Sequence, residues 1–186
     1  MRTLHVIRNH IYFLSAVSQR SIYSLGKVID RLHNDYERLK YDNRDIAEMT
    51  SKPIYLHLNT NGGCLASGWI GATMIKNSPI DINTVIEGNC CSSGTIMSVV
   101  GKRRYIDENG YMMIHQLSAE IGGTFQLMKD NIDMYKKDME RMVRHYEQYS
   151  TMSKSEIQRR LKNDHYLDAV EAIKCGLVDE IYKPSS

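Results

Sequence analysis

A chain of 186 residues, 42% apolar and 25% charged, suffices for one domain with a sizeable core and leaves little room for a second. Its 24 basic and 22 acidic residues give a formal charge of +2, and the densest basic runs, Lys102-Arg103-Arg104 and Arg159-Arg160, are short, so no nucleic-acid partner is expected. No stretch approaches the ~20 apolar residues of a membrane helix, and "MRTLHVIRNHIYFL" lacks the apolar core and cleavage site of a secretory signal. No membrane partner and a cytoplasmic location are therefore expected.

In chain order, "HVIRNHIYFL" reads as a strand. Ile22, Leu25, Val28, Ile29, Leu32, Tyr36 and Leu39 recur at three- and four-residue steps and predict an amphipathic helix. "KYDNRDIAEMTSKP" reads as a surface loop or a frayed helix end. "IYLHL" is a strand, "NTNGG" breaks it, and "CLASGWIGATMIKN" predicts a helix despite its glycines. "DINTVIEG" is a strand ending in glycine, and Ser92 to Val100 suits a buried helix. "KRRYI" and "YMMIH" are short strands around the turn "DENG". Met128, Ile132, Tyr135, Met139, Met142, Tyr146 and Tyr149 stripe one face of a long helix from about Thr124 to Tyr149. That stripe is packing surface, with a seam against another subunit as the second reading. Capping boxes are expected at Ser153 with Glu156 and at Asp168 with Glu171, and the second helix stops at Gly176. "LVDEIY" is the last strand. The alternation of strands and helices favours βαβ units and a mostly parallel sheet, whose ligands gather at the carboxyl ends of strands.

Those ends hold the chemistry-bearing residues: Gly62-Gly63, the stretch "EGNCCSSGTIMSVV", and His115. Serine attack on an amide needs a base, an orienting acid, and N–H donors for the oxyanion. Ser92, His115 and Asp164 could supply the nucleophile, the base and the acid, and the paired glycines can present bare N–H groups. From the residues alone the choice stays open. Cys91 beside Ser92 is a rival nucleophile, since a thiol at a helix start ionises readily. The four cysteines, Cys64, Cys90, Cys91 and Cys175, contain no C-x-x-C pair, so no metal is expected, and no cofactor either. Their plainest reading is as free thiols packing like small apolar residues.

Four stretches in order, "LNTNGG", "GNCCSSGTIMSVVGKRRY", "MMIHQ" and "NDHYLDAVEAIKCGLVDEIY", resemble the Clp protease proteolytic subunit, over about His10 to Tyr182. The resemblance implies an α/β, crotonase-like ββα superhelix in a single domain, 1–186. A handle of strand plus long helix would protrude over about 117–149. It implies Ser92 as nucleophile, His115 as general base, Asp164 as orienting acid, and the N–H groups of Gly63 and Ser93 as oxyanion donors. Peptide would add as a strand between Gly62, Cys64 and Leu65 on one side and Leu117, Ser118 and Ala119 on the other. It implies a homo-oligomeric ring, two heptamers stacked into a chamber, acting on unfolded polypeptides, with an AAA+ unfoldase as a further partner. The chain departs from the family at Asn61 and Leu117, where prolines are usual. Asn163 stands where the family has the arginine of its ring–ring contact, and the segment ahead of the first core strand is short. These departures suggest a divergent member, with phage origin and dedicated processing, such as capsid maturation, among the alternatives. A silent ring subunit and crotonase-type acyl-thioester chemistry are the readings from other classes.

Overall fold

In the computed structural model, the described residues are 4–42 and 52–183. Most of the polar segment 40–53 therefore lies outside them. The first expected strand is two: β1 (Leu4–Ile7) and β2 (His10–Phe13) pair antiparallel, with Ile7 opposite His10. Arg8, at φ 56°, makes the tight turn between them. The run of apolar residues on both sides hid this reversal from the sequence.

Helix α1 (Gln19–Asp42) buries Ile22, Leu25, Ile29 and Leu32 of the predicted stripe, while Val28 and Tyr36 are half-buried and Leu39 is exposed. β3 (Ile54–Thr60), α2 (Leu65–Lys76), β4 (Ile82–Cys91) and α3 (Ser93–Ser98) follow. β5 (Arg104–Ile106) and β6 (Tyr111–Ile114) come next, then α4 (Phe125–Tyr149), α5 (Lys154–Arg160), β7 (His165–Asp168), α6 (Ala169–Lys174) and β8 (Glu180–Ile181). β2, β3, β4, β5 and β8 lie side by side and parallel.

β4 outruns its predicted end at Gly88 because it changes partner there. Thr84 to Ile86 pair with β5, and Asn89 to Cys91 pair with β6. Gly88, at φ 75°, sits at the step, and a register shift falls beside it between Leu58 and Thr60 of β3. β5 and β6 are therefore consecutive neighbours of one strand rather than a hairpin. β7 pairs antiparallel with β6. One hydrophobic cluster runs from Ile11 to Val178, so the first and last thirds of the chain share a core.

α4 is 25 residues long, about 37 Å at 1.5 Å per residue. Only Met142, Val143 and Tyr146 of it are buried, all in its final third. Phe125 is 78% exposed, and Ile132 and Met134 are also exposed. Of the predicted stripe, Met142 and Tyr146 are core, Met128, Tyr135, Met139 and Tyr149 are half-buried, and Ile132 is exposed. Residues 117–123, expected as a strand of the handle, pair with no strand among the described residues. A lone extended segment has no neighbour there to complete a ladder.

Asp168 and Glu171 form the full capping box at α6. At α5 only half forms: Ser153 accepts from the Glu156 N–H, while the Glu156 carboxylate turns to Arg160, 2.8 Å away. β8 is shorter than "LVDEIY" suggested, because only Glu180 and Ile181 reach β5. Among the described residues, no helix is long and apolar enough to cross a membrane.

Candidate active site

Ser92 sits where β4 becomes α3. Its backbone takes φ 53° and ψ −127°, a region that costs a side-chain-bearing residue about 1–3 kcal/mol and persists only where its surroundings enforce it. The surroundings do so here from both sides. The Ser92 N–H donates to the Met113 carbonyl at 2.7 Å. The Ser92 carbonyl accepts from the Thr95 N–H at 2.9 Å and from the Thr95 hydroxyl at 2.6 Å. The β4–β6 ladder thus ends one residue beyond Cys91, and the chain folds at once into α3. A sharp strand-to-helix turn of this kind lifts the side chain clear of the sheet.

The same ladder delivers the base. His115 follows β6 directly, two residues after the carbonyl that holds Ser92. Its Nε2 lies 2.7 Å from the Ser92 Oγ. Asp164 immediately precedes β7, and Ile114 pairs with His165 across the β6–β7 ladder, which sets Asp164 opposite His115. The His115 Nδ1 to Asp164 Oδ1 distance is 3.6 Å, ion-pair range but beyond a hydrogen bond. The Asp164 side chain is 64% exposed against 21% for His115, so its charge acts through water as much as through the fold.

The glycine loop lies against Ser92. A Cβ on Gly62, whose φ is 88°, would stand 2.6 Å from the Ser92 Cβ and 2.7 Å from the Cys91 carbonyl oxygen. Gly62 N–H is fixed by the Thr60 hydroxyl at 3.1 Å. Val17 donates to the Gly62 carbonyl and accepts from the Cys64 N–H. Backbone groups alternate along an extended chain, so the Gly63 N–H between them turns away from Val17. A Cβ on Gly63 would collide with the Val17 carbonyl oxygen, so only glycine brings this loop so close. Ser93 is buried, and its backbone N–H belongs to the peptide unit that begins at the Ser92 carbonyl.

Cys90 and Cys91 do not compete. Burial pushes the Cys90 thiol up to about 12, and Cys91 is raised by burial and by the nearby Asp164 charge. A thiol that resists ionisation is a poor nucleophile. All four cysteines are free. Cys64 is exposed, and its thiol is lowered by hydrogen bonds at Ser67.

Beside the loop, a cavity of about 670 Å³ runs between α2 and α4. Leu65, Leu117 and Ala119, expected to flank a bound peptide, share its walls with Trp69 and Tyr135. Gly62 and Cys64 lie in the loop at its edge, while Ser118 is exposed and outside its walls. Trp69 was missed from the sequence, although the one tryptophan, on the helix after the glycine loop, was a usable signal. The Arg141 guanidinium lies 4.0 Å over its ring. Thr60, Met113 and Thr95 were missed as well, since their roles depend on the ladder register.

The Clp protease family model matches residues 16–185. The chain is similar to ATP-dependent Clp protease proteolytic subunit 3 of Streptomyces coelicolor, 32% identical over 133 residues, 69% of this chain and 60% of that protein. It is similar also to ATP-dependent Clp protease proteolytic subunit 1 of Streptomyces avermitilis, 29% identical over 140 residues, 73% of this chain and 63% of that protein. The matched region spans less than two thirds of the length of either relative. The chain belongs to the Clp protease family.

Proposed function

We propose that the protein is a serine endopeptidase that cleaves unfolded polypeptides within a ring of its own copies. The observation that carries this reading is the 2.7 Å contact between the Ser92 Oγ and the His115 Nε2 at an enforced strand-to-helix turn. In the proposed reaction the Ser92 oxygen attacks the scissile carbonyl carbon while His115 Nε2 takes the hydroxyl proton. The carbonyl oxygen becomes an oxyanion, received by the N–H groups of Gly63 and Ser93. Collapse expels the amine, which takes the proton from Nε2 and leaves an acyl ester on Ser92. Water, deprotonated by the same nitrogen, then releases the acid. Asp164 orients the ring with its proton on Nδ1.

The substrate lies extended between Gly62–Leu65 and Leu117–Ala119, held mainly through backbone groups, with side chains in the cavity beside Trp69. The exposed apolar side chains of α4, Phe125 and Ile132 on one side and Leu127 and Met134 on the other, support packing against other copies, as the family implies. The word "ATP-dependent" in the relatives' names supports an AAA+ unfoldase as the partner that delivers chains.

The test is hydrolysis of a fluorogenic peptide and of casein. Ser92→Ala and His115→Ala each lower peptide turnover by about a thousandfold or more. Turnover by Ser92→Ala within tenfold of the parent protein would discard the reading.

A further inference from the structure

The peptide unit between Ser92 and Ser93 has two ends with different partners. Its N–H, on Ser93, is one of the two oxyanion donors in the reaction proposed above, and the present inference rests on that reading. Its carbonyl, on Ser92, receives the Thr95 hydroxyl at 2.6 Å and the Thr95 N–H at 2.9 Å. Thr95 itself is fully buried. Its oxygen lies 2.7 Å from the hydroxyl of Tyr146, on α4, which is 1% exposed.

The proton directions follow from counting. A threonine hydroxyl has one proton, and Thr95 gives its proton to the Ser92 carbonyl. Tyr146 must then donate to Thr95. Burial raises the Tyr146 phenol well above its ordinary range, so it holds that proton throughout the working pH range. The bonds run in one direction: Tyr146 O–H to Thr95 Oγ1, Thr95 O–H to the Ser92 carbonyl, and across that amide to the Ser93 N–H.

Hydrogen bonds in a chain polarise one another, each strengthening the next by roughly 10–30% in condensed-phase estimates. A carbonyl that accepts two bonds draws electron density from its amide nitrogen, which makes the N–H at the other end a stronger donor. We propose that Thr95 and Tyr146 are positioning residues for the oxyanion, acting through the Ser92–Ser93 peptide. They hold the turn at Ser92 and strengthen the Ser93 N–H as charge develops on the substrate oxygen. Tyr146 lies in the buried third of α4, whose other end carries the exposed Phe125. The long helix therefore touches the reaction centre through two hydroxyl groups.

A purely structural role would predict equal damage to substrate binding and to turnover, or damage to stability alone. The experiment measures kcat and KM for a fluorogenic peptide with Thr95→Val, Thr95→Ser and Tyr146→Phe. It also measures the affinity of each variant for a peptide aldehyde, which forms a tetrahedral adduct with an oxyanion, and for the corresponding peptide alcohol, which does not. Thr95→Val should lower kcat about tenfold, a loss smaller than removal of a whole oxyanion donor, with KM within twofold. Aldehyde affinity should fall in parallel with kcat while alcohol affinity holds. Thr95→Ser, which keeps the hydroxyl, should stay within twofold of the parent. Tyr146→Phe should lower kcat about threefold and keep KM.

Parent-like kcat in Thr95→Val, or equal loss in Thr95→Ser, would overturn the inference. So would equal weakening of aldehyde and alcohol. If Thr95→Val fails to fold, Tyr146→Phe decides alone by the same split. A parent protein that turns over peptide while these variants match it defeats only this inference. A parent protein inert toward every peptide defeats the peptidase reading beneath it.

Discussion

Lowering the pH should destabilise the protein through one half-buried imidazole, His145. Its Nε2 lies 3.0 Å from the Ile96 carbonyl, and its ring packs edge-on to Trp69 at 4.9 Å and against Tyr149 at 4.9 Å. Burial lowers its pKa from the ordinary 6.5 to about 4, the bond to Ile96 opposes this, and the Arg141 and Lys76 charges add to it. The unfolded chain therefore takes up a proton near pH 6.5 while the folded chain refuses it until near pH 4. Between those values the unfolded state binds more protons, so stability falls as pH falls, and below pH 4 the effect levels off. From pH 8 to pH 5 this one group removes about 2 kcal/mol. His10, His57 and His165 are also lowered, first by burial, and push in the same direction. A difference between two proteins isolates His145. Gln at 145 can still donate to Ile96 but does not titrate. Urea unfolding at fixed protein concentration, at pH 8 and pH 5, should show the parent protein losing about 2 kcal/mol more than His145→Gln. Equal losses in the two proteins would refute the reasoning.

Other outcomes follow from the same geometry. Gly62→Ala should leave the circular dichroism spectrum intact and lower kcat/KM by about a hundredfold, because the added Cβ would stand 2.6 Å from the Ser92 Cβ at a φ of 88°. Activity within threefold of the parent would contradict the contact. Asp164→Ala should lower kcat only about tenfold, far less than His115→Ala, since the carboxylate is 64% exposed and 3.6 Å from the ring. Equal losses measured side by side would show a tighter coupling than this distance allows. Arg104 joins the Tyr149 carbonyl at 2.6 Å, the Gly176 carbonyl at 2.8 Å and the Asp179 carboxylate, with its own side chain 17% exposed. Arg104→Ala should cost about 2 kcal/mol in urea unfolding, because it leaves two backbone carbonyls without their charged donor, and a loss below about 0.5 kcal/mol would contradict it. Iodoacetamide should modify Cys64 first and Cys90 last, and mass spectrometry of a time course would show a reversed order if the burial argument fails.

Much of the architecture was legible because single segments carry their own periodicity. The 3.6-residue spacing marked α1 and α4, and the β-rich runs marked β3 and β6. What escaped was relational. Nothing local says that "HVIRNHIYFL" reverses at Arg8, that β4 trades β5 for β6 after Gly88, or that Glu156 prefers Arg160 to its own cap. The stripe on α4 read as a single surface, yet only Met142 and Tyr146 of it reach the core, and the sequence does not mark where burial begins. At the candidate site, Ser92, His115 and Asp164 were singled out and lie together. Motif resemblance picked out Ser92 over Cys91, a choice the residues alone left open. The groups that hold Ser92 in place, Met113, Thr95 and Tyr146, became visible only when the ladder register set them side by side.

The central claim concerns the reactivity of one hydroxyl, and a fluorophosphonate probe reads it directly. Intact-mass and peptide mass spectrometry should find a single adduct on the peptide that contains Ser92, absent from Ser92→Ala and much slower to form in His115→Ala. An adduct on another residue, or one that persists in Ser92→Ala, would contradict the account.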